Sequence, residues 1–369
     1  MSAPWYQIAN ADEIDSPALL VFRDRVAENV RRMIAYAGGV QNLRPHVKTH
    51  KTAEIIRMQM AAGIHQFKVA TLAEAEMVAR CDAPDCMLAY QPLGPKATRF
   101  AQLVRAFPAT RFSAIADDAE AIRGLSVALI AAGATVDIWL DIDVGMGRTG
   151  IQPGPAAVAL YRLLDDLPGV KPVGLHVYDG HVRQKEIEER RRACDEAFAP
   201  AEQMREELVR LGFPRPRVVA GGTPTFPIHA RHADRQCSPG TCTYWDISYE
   251  TKFPDLQFLH AAVLLSRVIS KPGPGRLCMD LGYKAVSPDN PDPRAVWLDL
   301  PDAKMVNHSE EHIAVETSLA DRHSVGDILY AIPFHVCPTV ALHREVIVVE
   351  QGQATARWTV TARDRRITI

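Results

Sequence analysis

CMLAYQPLGPKATRFAQLVRAFPATRFSAIADDAEAIRGLSVALIAAGATVDIWLDI, residues 86–142, alternates two patterns. Apolar runs at 86–90, 112–116 and 136–142 have the length of strands and are bounded by Gly, Pro and Asp. Between them, 97–107 and 119–132 carry apolar residues at helical spacing. Strand–helix–strand repeats of this length point to a parallel sheet with covered faces.

The alternation extends in both directions. Upstream, 18–22 (ALLVF) reads as a strand and 24–38 as a helix stopped by Gly38-Gly39. Residues 43–48 (LRPHVK) follow as a strand, 52–62 as a helix closed by Gly63, 67–70 as a strand and 72–80 as a helix. Downstream come a helix at 155–167, with Pro155 in its first turn, a strand at 173–177, a long helix at 185–211 and a last strand at 217–220. Eight such units close a (β/α)8 barrel, expected here over residues 16–254. An open doubly wound sheet is the alternative.

From residue 255 helical patterns become scarce. Strand-like runs at 262–270, 276–281, 295–298, 313–315, 327–331, 345–349 and 354–362 are separated by Gly, Pro and Asp. Residues 255–369 therefore read as a β-rich domain, with 1–15 expected to pack on it. The charged run IEERRRACDE, residues 187–196, reads as a solvated helix face without a function.

Charge and cysteine content narrow the class. Lys and Arg number 42 against 44 Asp and Glu, a formal net charge of -2, which offers nucleic acid or an anionic membrane no long electrostatic footprint. Seven scattered Cys do not make a disulfide framework and suit a reducing compartment. Asp12, Glu13 and Asp15 stand where a secretory signal would be basic and then apolar, and no run is long enough to span a bilayer. A cytoplasmic enzyme without nucleic-acid or membrane partners is expected.

Six motifs carry residues suited to chemistry. In RPHVKTHKT, 44–52, Lys48 sits at the end of an expected barrel strand, where barrel enzymes do their chemistry. Lysine is the residue type that holds pyridoxal phosphate (PLP) as a Schiff base. His46 and His50 flank it at two residues' distance, on one face if the strand runs that far. A basic surface loop is the other reading.

DIDVGMGRTG, 141–150, supplies Arg148, either a donor to a ligand oxygen or the partner of Asp141 or Asp143. Its glycines match the letters of GxGxxG, but Pro153 and Pro155 delay the helix that a dinucleotide fingerprint must open into. GLHVYDGH, 174–181, puts His176 and Tyr178 on one strand face, able to stack on or bond to a flat ligand, or simply buried and satisfied.

VVAGGTPT, 218–225, and CSPGTCTYWD, 237–246, supply two glycine turns at Gly221-Gly222 and Gly240, with hydroxyls at Thr223, Thr225 and Thr241. Two such turns can cradle one phosphate, or be turns only. In FHVCPTVALH, 334–343, His335 and Cys337 share a face if the segment is extended. Imidazole plus thiolate suits Zn²⁺, with Mn²⁺ or Mg²⁺ open if oxygen ligands join, and core packing is the rival reading.

The order RPHVKTHK, GMGRTG, HVYDGH, GGTPT, SPGT and HVC resembles the D-threonine aldolase and eukaryotic-type D-serine dehydratase family, over nearly the whole chain. The family shares its barrel with alanine racemase, a fold type III PLP enzyme. The resemblance implies an α/β fold, a PLP-binding (β/α)8 TIM barrel of the alanine racemase type plus a C-terminal β-rich domain. It implies Lys48 as the Schiff-base lysine, Arg148 at the cofactor's phenolic oxygen, and His176 against the pyridine ring with Tyr178 beside it. Gly222, Thr223, Gly240 and Thr241 would cradle the phosphate, and His335 and Cys337 would hold a divalent metal near the cofactor. A head-to-tail homodimer is also implied. Where the racemases carry an arginine for the pyridine nitrogen, this chain has Ser238, which argues against simple racemisation.

The expected activity is retro-aldol cleavage of a D-3-hydroxyamino acid to glycine and an aldehyde, with His46, His50 and Tyr178 as further catalytic candidates. Dehydration of D-serine or D-threo-3-hydroxyaspartate to a 2-oxo acid and ammonia is the alternative. A non-catalytic PLP-binding protein is a third.

Overall fold

The computed structural model describes residues 4–369. Contacts divide the chain into two compact units. One comprises Arg32–Lys48, Ile55–Gly240 and Asp364–Ile369, and the other the segment up to Arg31, Thr49–Glu54 and Thr241–Arg363.

In the first unit seven parallel strands follow one another in chain order: Gln66–Val69, Asp85–Leu88, Arg111–Ala116, Val136–Ile142, Val170–Val177, Arg217–Ala220 and Arg235–Cys237. Parallel bridges Leu43–Cys237 and His46–Lys68 tie residues 43–46 to the last and first of them, closing a ring of eight positions. The expected barrel is therefore present and the open sheet is excluded. Met87, Ile115, Trp139 and Val219, from four strands, pack together in its core. Helices start where the sequence supplies a cap. Thr71 accepts from Glu74 N at 3.2 Å and Asp118 from Ala121 N at 2.9 Å, while Pro95 and Pro155 open their own helices.

Three expectations change in this unit. The strand expected at 43–48 ends at His46, and Val47–Thr49 is a 3-10 turn, so His46 and His50 share no strand face. A short helix, Phe226–His229, and the strand Arg235–Cys237 follow the strand read as the last; three residues are too few to show a period. The charged run 187–196 is not all solvated: its helix, Ile187–Arg210, buries Arg190 and Cys194.

The second unit holds a nine-stranded sheet. Its centre is Ala262–Ser270, which pairs antiparallel with Arg276–Met279, Ile328–Pro333 and Ala18–Phe22. Ala18–Phe22 also pairs parallel with Glu345–Glu350. The boundary at 16–254 is thus corrected: the first apolar strand belongs to this sheet, not to the barrel. A five-residue strand buried on both faces reads as ALLVF in either setting. Residues 241–254 also fall in this unit and 364–369 in the barrel unit, where Thr368 N donates to Glu76 Oε2 at 2.8 Å. Ile8, Ala11 and Ile14 pack with Leu20, Val263 and Ile347; residues 1–3, part of the segment 1–15 read with this unit, lie outside the described residues. Unread from sequence were the strand Lys304–His308 and the helix Val336–Leu342. Among the described residues no helix is long and apolar enough to cross a membrane.

Candidate active site and metal centre

The barrel unit carries a pocket of about 440 Å³ at the C-terminal ends of its strands, inside the roughly 300–1,000 Å³ of small-molecule sites. His46, Lys48, Arg148, His176 and Tyr178 all line it. The 3-10 turn after residues 43–46 presents Lys48. His46 Nδ1 accepts from Lys48 N at 3.3 Å, which leaves the neutral ring's hydrogen on Nε2 as a donor. A base role for His46 requires that bond to be released.

His176 is buried on the strand Val170–Val177, and its Nδ1 lies 2.6 Å from Asp141 Oδ1. Burial and nearby Lys68 lower its pKa while Asp141 opposes them, so the neutral ring donates from Nδ1. Its Nε2 is buried without a partner among the described residues. Arg148 Cζ stands 4.8 Å from the Tyr178 ring centroid. It pairs with neither predicted carboxylate: Asp141 is taken by His176 and Thr149, and Asp143 by the amides of Gly145 and Gly147 at 3.0 and 3.1 Å.

The next two strand ends carry the glycine turns. Gly240 N donates to Thr223 Oγ1 at 3.0 Å, joining them. A Cβ on Gly222 would stand 3.1 Å from Tyr178 Cε2, so the backbone there runs close against that ring. Ser238 Oγ is buried with no partner among the described residues. An amine, a cation over an aromatic ring, two glycine turns and two buried polar atoms without partners fit PLP.

His50 does not line this pocket, which corrects the expectation that it flanks Lys48 there together with His46. It lies in the other unit, fully buried, with Nδ1 accepting from Thr52 N at 3.2 Å. Burial pushes its pKa down to about 3.

In the β-rich unit, His335 and Cys337 do come together, but not on an extended segment. His335 is the N-cap of the helix Val336–Leu342 and Cys337 lies in its first turn. His335 Nδ1 is 2.6 Å from Asp289 Oδ2, and Cys337 Sγ is 3.2 Å from Thr49 Oγ1 and 3.8 Å from Thr241 Oγ1. Burial lowers the His335 pKa, but hydrogen bonds with Cys337 and Asp289 outweigh it and raise the value to about 9. Both side chains remain partly exposed. Imidazole and thiol with open sides suit a divalent metal, with Asp289 holding the ring's Nδ1.

A second His/Cys/Asp cluster was not read from sequence. Asp179, Cys194 and His229 are buried, with ligand-type atoms within 4.8 Å of one another, a candidate metal-ligand set by composition. Its hydrogen bonds close on themselves. Arg235 donates to His229 Nδ1 at 3.2 Å, His229 Nε2 to Asp179 Oδ2 at 2.7 Å, and Thr225 to Asp179 Oδ1 at 2.7 Å. Burial pushes the Cys194 thiol up, which keeps its proton on. Lys68 was also missed as a pocket residue, because it stands in none of the six motifs, and Asp141 was read only as a possible partner of Arg148.

The fold and pocket define a PLP enzyme of the racemase-barrel class. Residues 21–247 match the family model described as alanine racemase, N-terminal domain, and residues 261–349 the one described as putative serine dehydratase domain. The D-threonine aldolase of Arthrobacter sp is 30% identical over 358 residues, covering 95% of this chain and 93% of that protein. The 3-hydroxy-D-aspartate aldolase of Paracoccus denitrificans (strain Pd 1222) is 28% identical over 374 residues, covering 96% and 93%. The crystal structure of D-threonine aldolase from Filomicrobium marinum superposes with a TM-score of 0.89 at 29% identity, covering 100% of both chains. The chain belongs to the alanine-racemase-like, fold type III family of PLP enzymes, close to its D-threonine aldolase and D-hydroxyaspartate aldolase and dehydratase members.

Proposed function

We propose that this protein is a PLP- and divalent-metal-dependent lyase that cleaves D-3-hydroxyamino acids to glycine and an aldehyde. The observation that carries this reading is the pocket that gathers Lys48, Arg148, His176 and Tyr178 at the strand ends of the barrel. Lys48 would hold the cofactor covalently, Arg148 would donate to its phenolic oxygen, and Gly222, Thr223, Gly240 and Thr241 would receive its phosphate. Ser238, whose Oγ is buried without a partner among the described residues, stands where the racemases carry the arginine that pairs with the pyridine nitrogen. When bound, PLP supplies an electron sink for the breaking Cα–Cβ bond, and a Zn²⁺ or Mn²⁺ on His335 and Cys337 supplies acidity toward the β-hydroxyl. Asp141 holds His176 in the neutral Nδ1–H form, so the ring packs without adding charge. The closed hydrogen bonding around Asp179 favours His335 and Cys337 as the metal ligands. The family resemblance supports a head-to-tail homodimer, and the scattered cysteines support a reducing, cytoplasmic setting.

Dehydration is the second reading. The His-x-Cys pair and the match of residues 261–349 to the serine dehydratase domain favour it. Product identity separates the two. Purified protein with added Zn²⁺ or Mn²⁺ is assayed on D-threonine, D-phenylserine, D-serine and D-3-hydroxyaspartate for aldehyde, glycine, oxo acid and ammonia. Aldehyde and glycine in equal amounts are expected; oxo acid and ammonia from the same substrates overturn the aldolase reading in favour of dehydration. Lys48→Ala is expected to remove the absorbance of lysine-bound cofactor together with turnover. A folded K48A protein with substantial turnover is incompatible with the assignment.

A further inference from the structure

Lys68 shares the pocket with Lys48 but is only 3% exposed. Among the described residues its ammonium makes no hydrogen bond and no ion pair; it faces the Tyr178 ring, 5.7 Å from the centroid. The pocket's two carboxylates are hydrogen-bonded to other groups. Asp141 Oδ1 lies 2.6 Å from His176 Nδ1, with its charge also acting on Lys68, and Asp117 Oδ2 accepts from Gly150 N at 2.7 Å. Three cations, Lys48, Lys68 and Arg148, therefore line a pocket whose carboxylates pair with neither lysine.

On the reading above, the cofactor accounts for two of these cations. Lys48 carries it and Arg148 meets its phenolic oxygen, while the phosphate falls to the glycine turns. Lys68 has only Asp141 as an anionic neighbour, and Asp141 is hydrogen-bonded to His176. Burying an ammonium where cations outnumber available carboxylates is costly, which points to a ligand that brings negative charge. Burial, then repulsion from Lys48, pushes Lys68 down to about 7; a carboxylate beside it would hold it charged.

We propose that Lys68 is a substrate-specificity residue whose ammonium pairs with a carboxylate of the 3-hydroxyamino acid. This rests on the PLP-lyase reading of the pocket. The carboxylate has two sources: the α-carboxylate common to all such substrates, or the side-chain carboxylate of 3-hydroxyaspartate.

The test uses cofactor-loaded wild type, Lys68→Met and Lys68→Arg, with two analogues that lack an amine. 3-Hydroxybutyrate carries one carboxylate and malate two. Binding is measured by titration calorimetry, and KM and kcat are measured in parallel on D-threonine and D-3-hydroxyaspartate. Losing a charge-assisted pair should weaken malate binding in K68M about tenfold or more, with KM rising more than kcat falls. Absorbance of lysine-bound cofactor is expected to stay as in wild type. An equal loss for 3-hydroxybutyrate assigns the α-carboxylate; a loss for malate alone assigns the side-chain carboxylate. Unchanged malate binding in K68M, no binding of either analogue to wild type, or loss of cofactor from folded K68M each overturns the proposal. If K68M does not fold, K68R carries the test: it keeps the charge and should bind malate within about threefold of wild type, and a loss of about tenfold overturns the pairing. Neither analogue can react, so their binding reports on Lys68 even if no amino acid is cleaved. Absence of turnover alone counts against the lyase reading, not against Lys68.

Discussion

Asp289 grips His335 through Nδ1, the arrangement by which a carboxylate fixes the ring of a metal-binding histidine and raises its basicity. Asp289→Ala should therefore weaken Zn²⁺ or Mn²⁺ binding about 10–100-fold, read by competition with a chromophoric chelator, while cofactor absorbance is unchanged. Equal metal affinity in the variant would detach Asp289 from the metal site. Cys337→Ala should cut turnover by orders of magnitude yet leave the fold and cofactor absorbance in place, because two ligands contribute little folding energy beside a four-cysteine site. Chelated wild type should recover on adding Zn²⁺ or Mn²⁺, and His335→Ala should not. Full activity of metal-free wild type, checked by elemental analysis, refutes this. Asp289 was invisible in the sequence because a proline-rich loop 46 residues away gives no spacing to His335.

The turn and short helix that follow the strand Arg217–Ala220 rest on a buried base. Gly221 has φ +70, and a Cβ there would come 2.8 Å from His229 Cδ2 and Thr225 Oγ1. Asp179 collects the hydrogen bonds of Thr225 and His229 beneath that turn. Asp179→Asn should cost about 1–3 kcal/mol in a urea melt and weaken PLP binding through the displaced turn. Chelation should leave the melt of wild type unmoved; a large drop on chelation, reversed by metal, would falsify the hydrogen-bonded reading of this cluster. At this scale the sequence was most legible where apolar runs are bounded by turn residues. The strands Val136–Ile142 and Arg217–Ala220 match their expected bounds, since apolar runs between Gly and Pro leave little choice. It failed for Arg235–Cys237 and Phe226–His229, which are too short for a period, and for His335–Cys337, where a helix begins inside an apolar stretch. Alternation of side chains predicts a shared face only if the backbone stays extended, and there it does not.

The stability of the molecule should depend on pH through its buried histidines. Burial pushes His50 down to about 3 and His260 to about 4, so both stay neutral in the folded chain. Between those values and about 6.5 the unfolded chain binds the extra protons, and stability falls as pH falls through that window. Asp246, pushed up to about 6 chiefly by burial, acts in the opposite sense below that pH. Comparing His50→Gln with wild type isolates one group: the variant's melting temperature should fall less between pH 7 and pH 4.5, and equal slopes would exclude His50. The apolar texture did reveal a barrel followed by a β-rich part, but not which strands each owns, because ALLVF suits either sheet. That ownership reaches beyond folding. Each unit is built from three separate stretches of chain, and a cut between residues 254 and 255 would strip the nine-stranded sheet of Ala18–Phe22. A single genetic crossover at that point would build the nine-stranded sheet from strands of both parents, with Ala18–Phe22 from one and Ala262–Ser270 from the other.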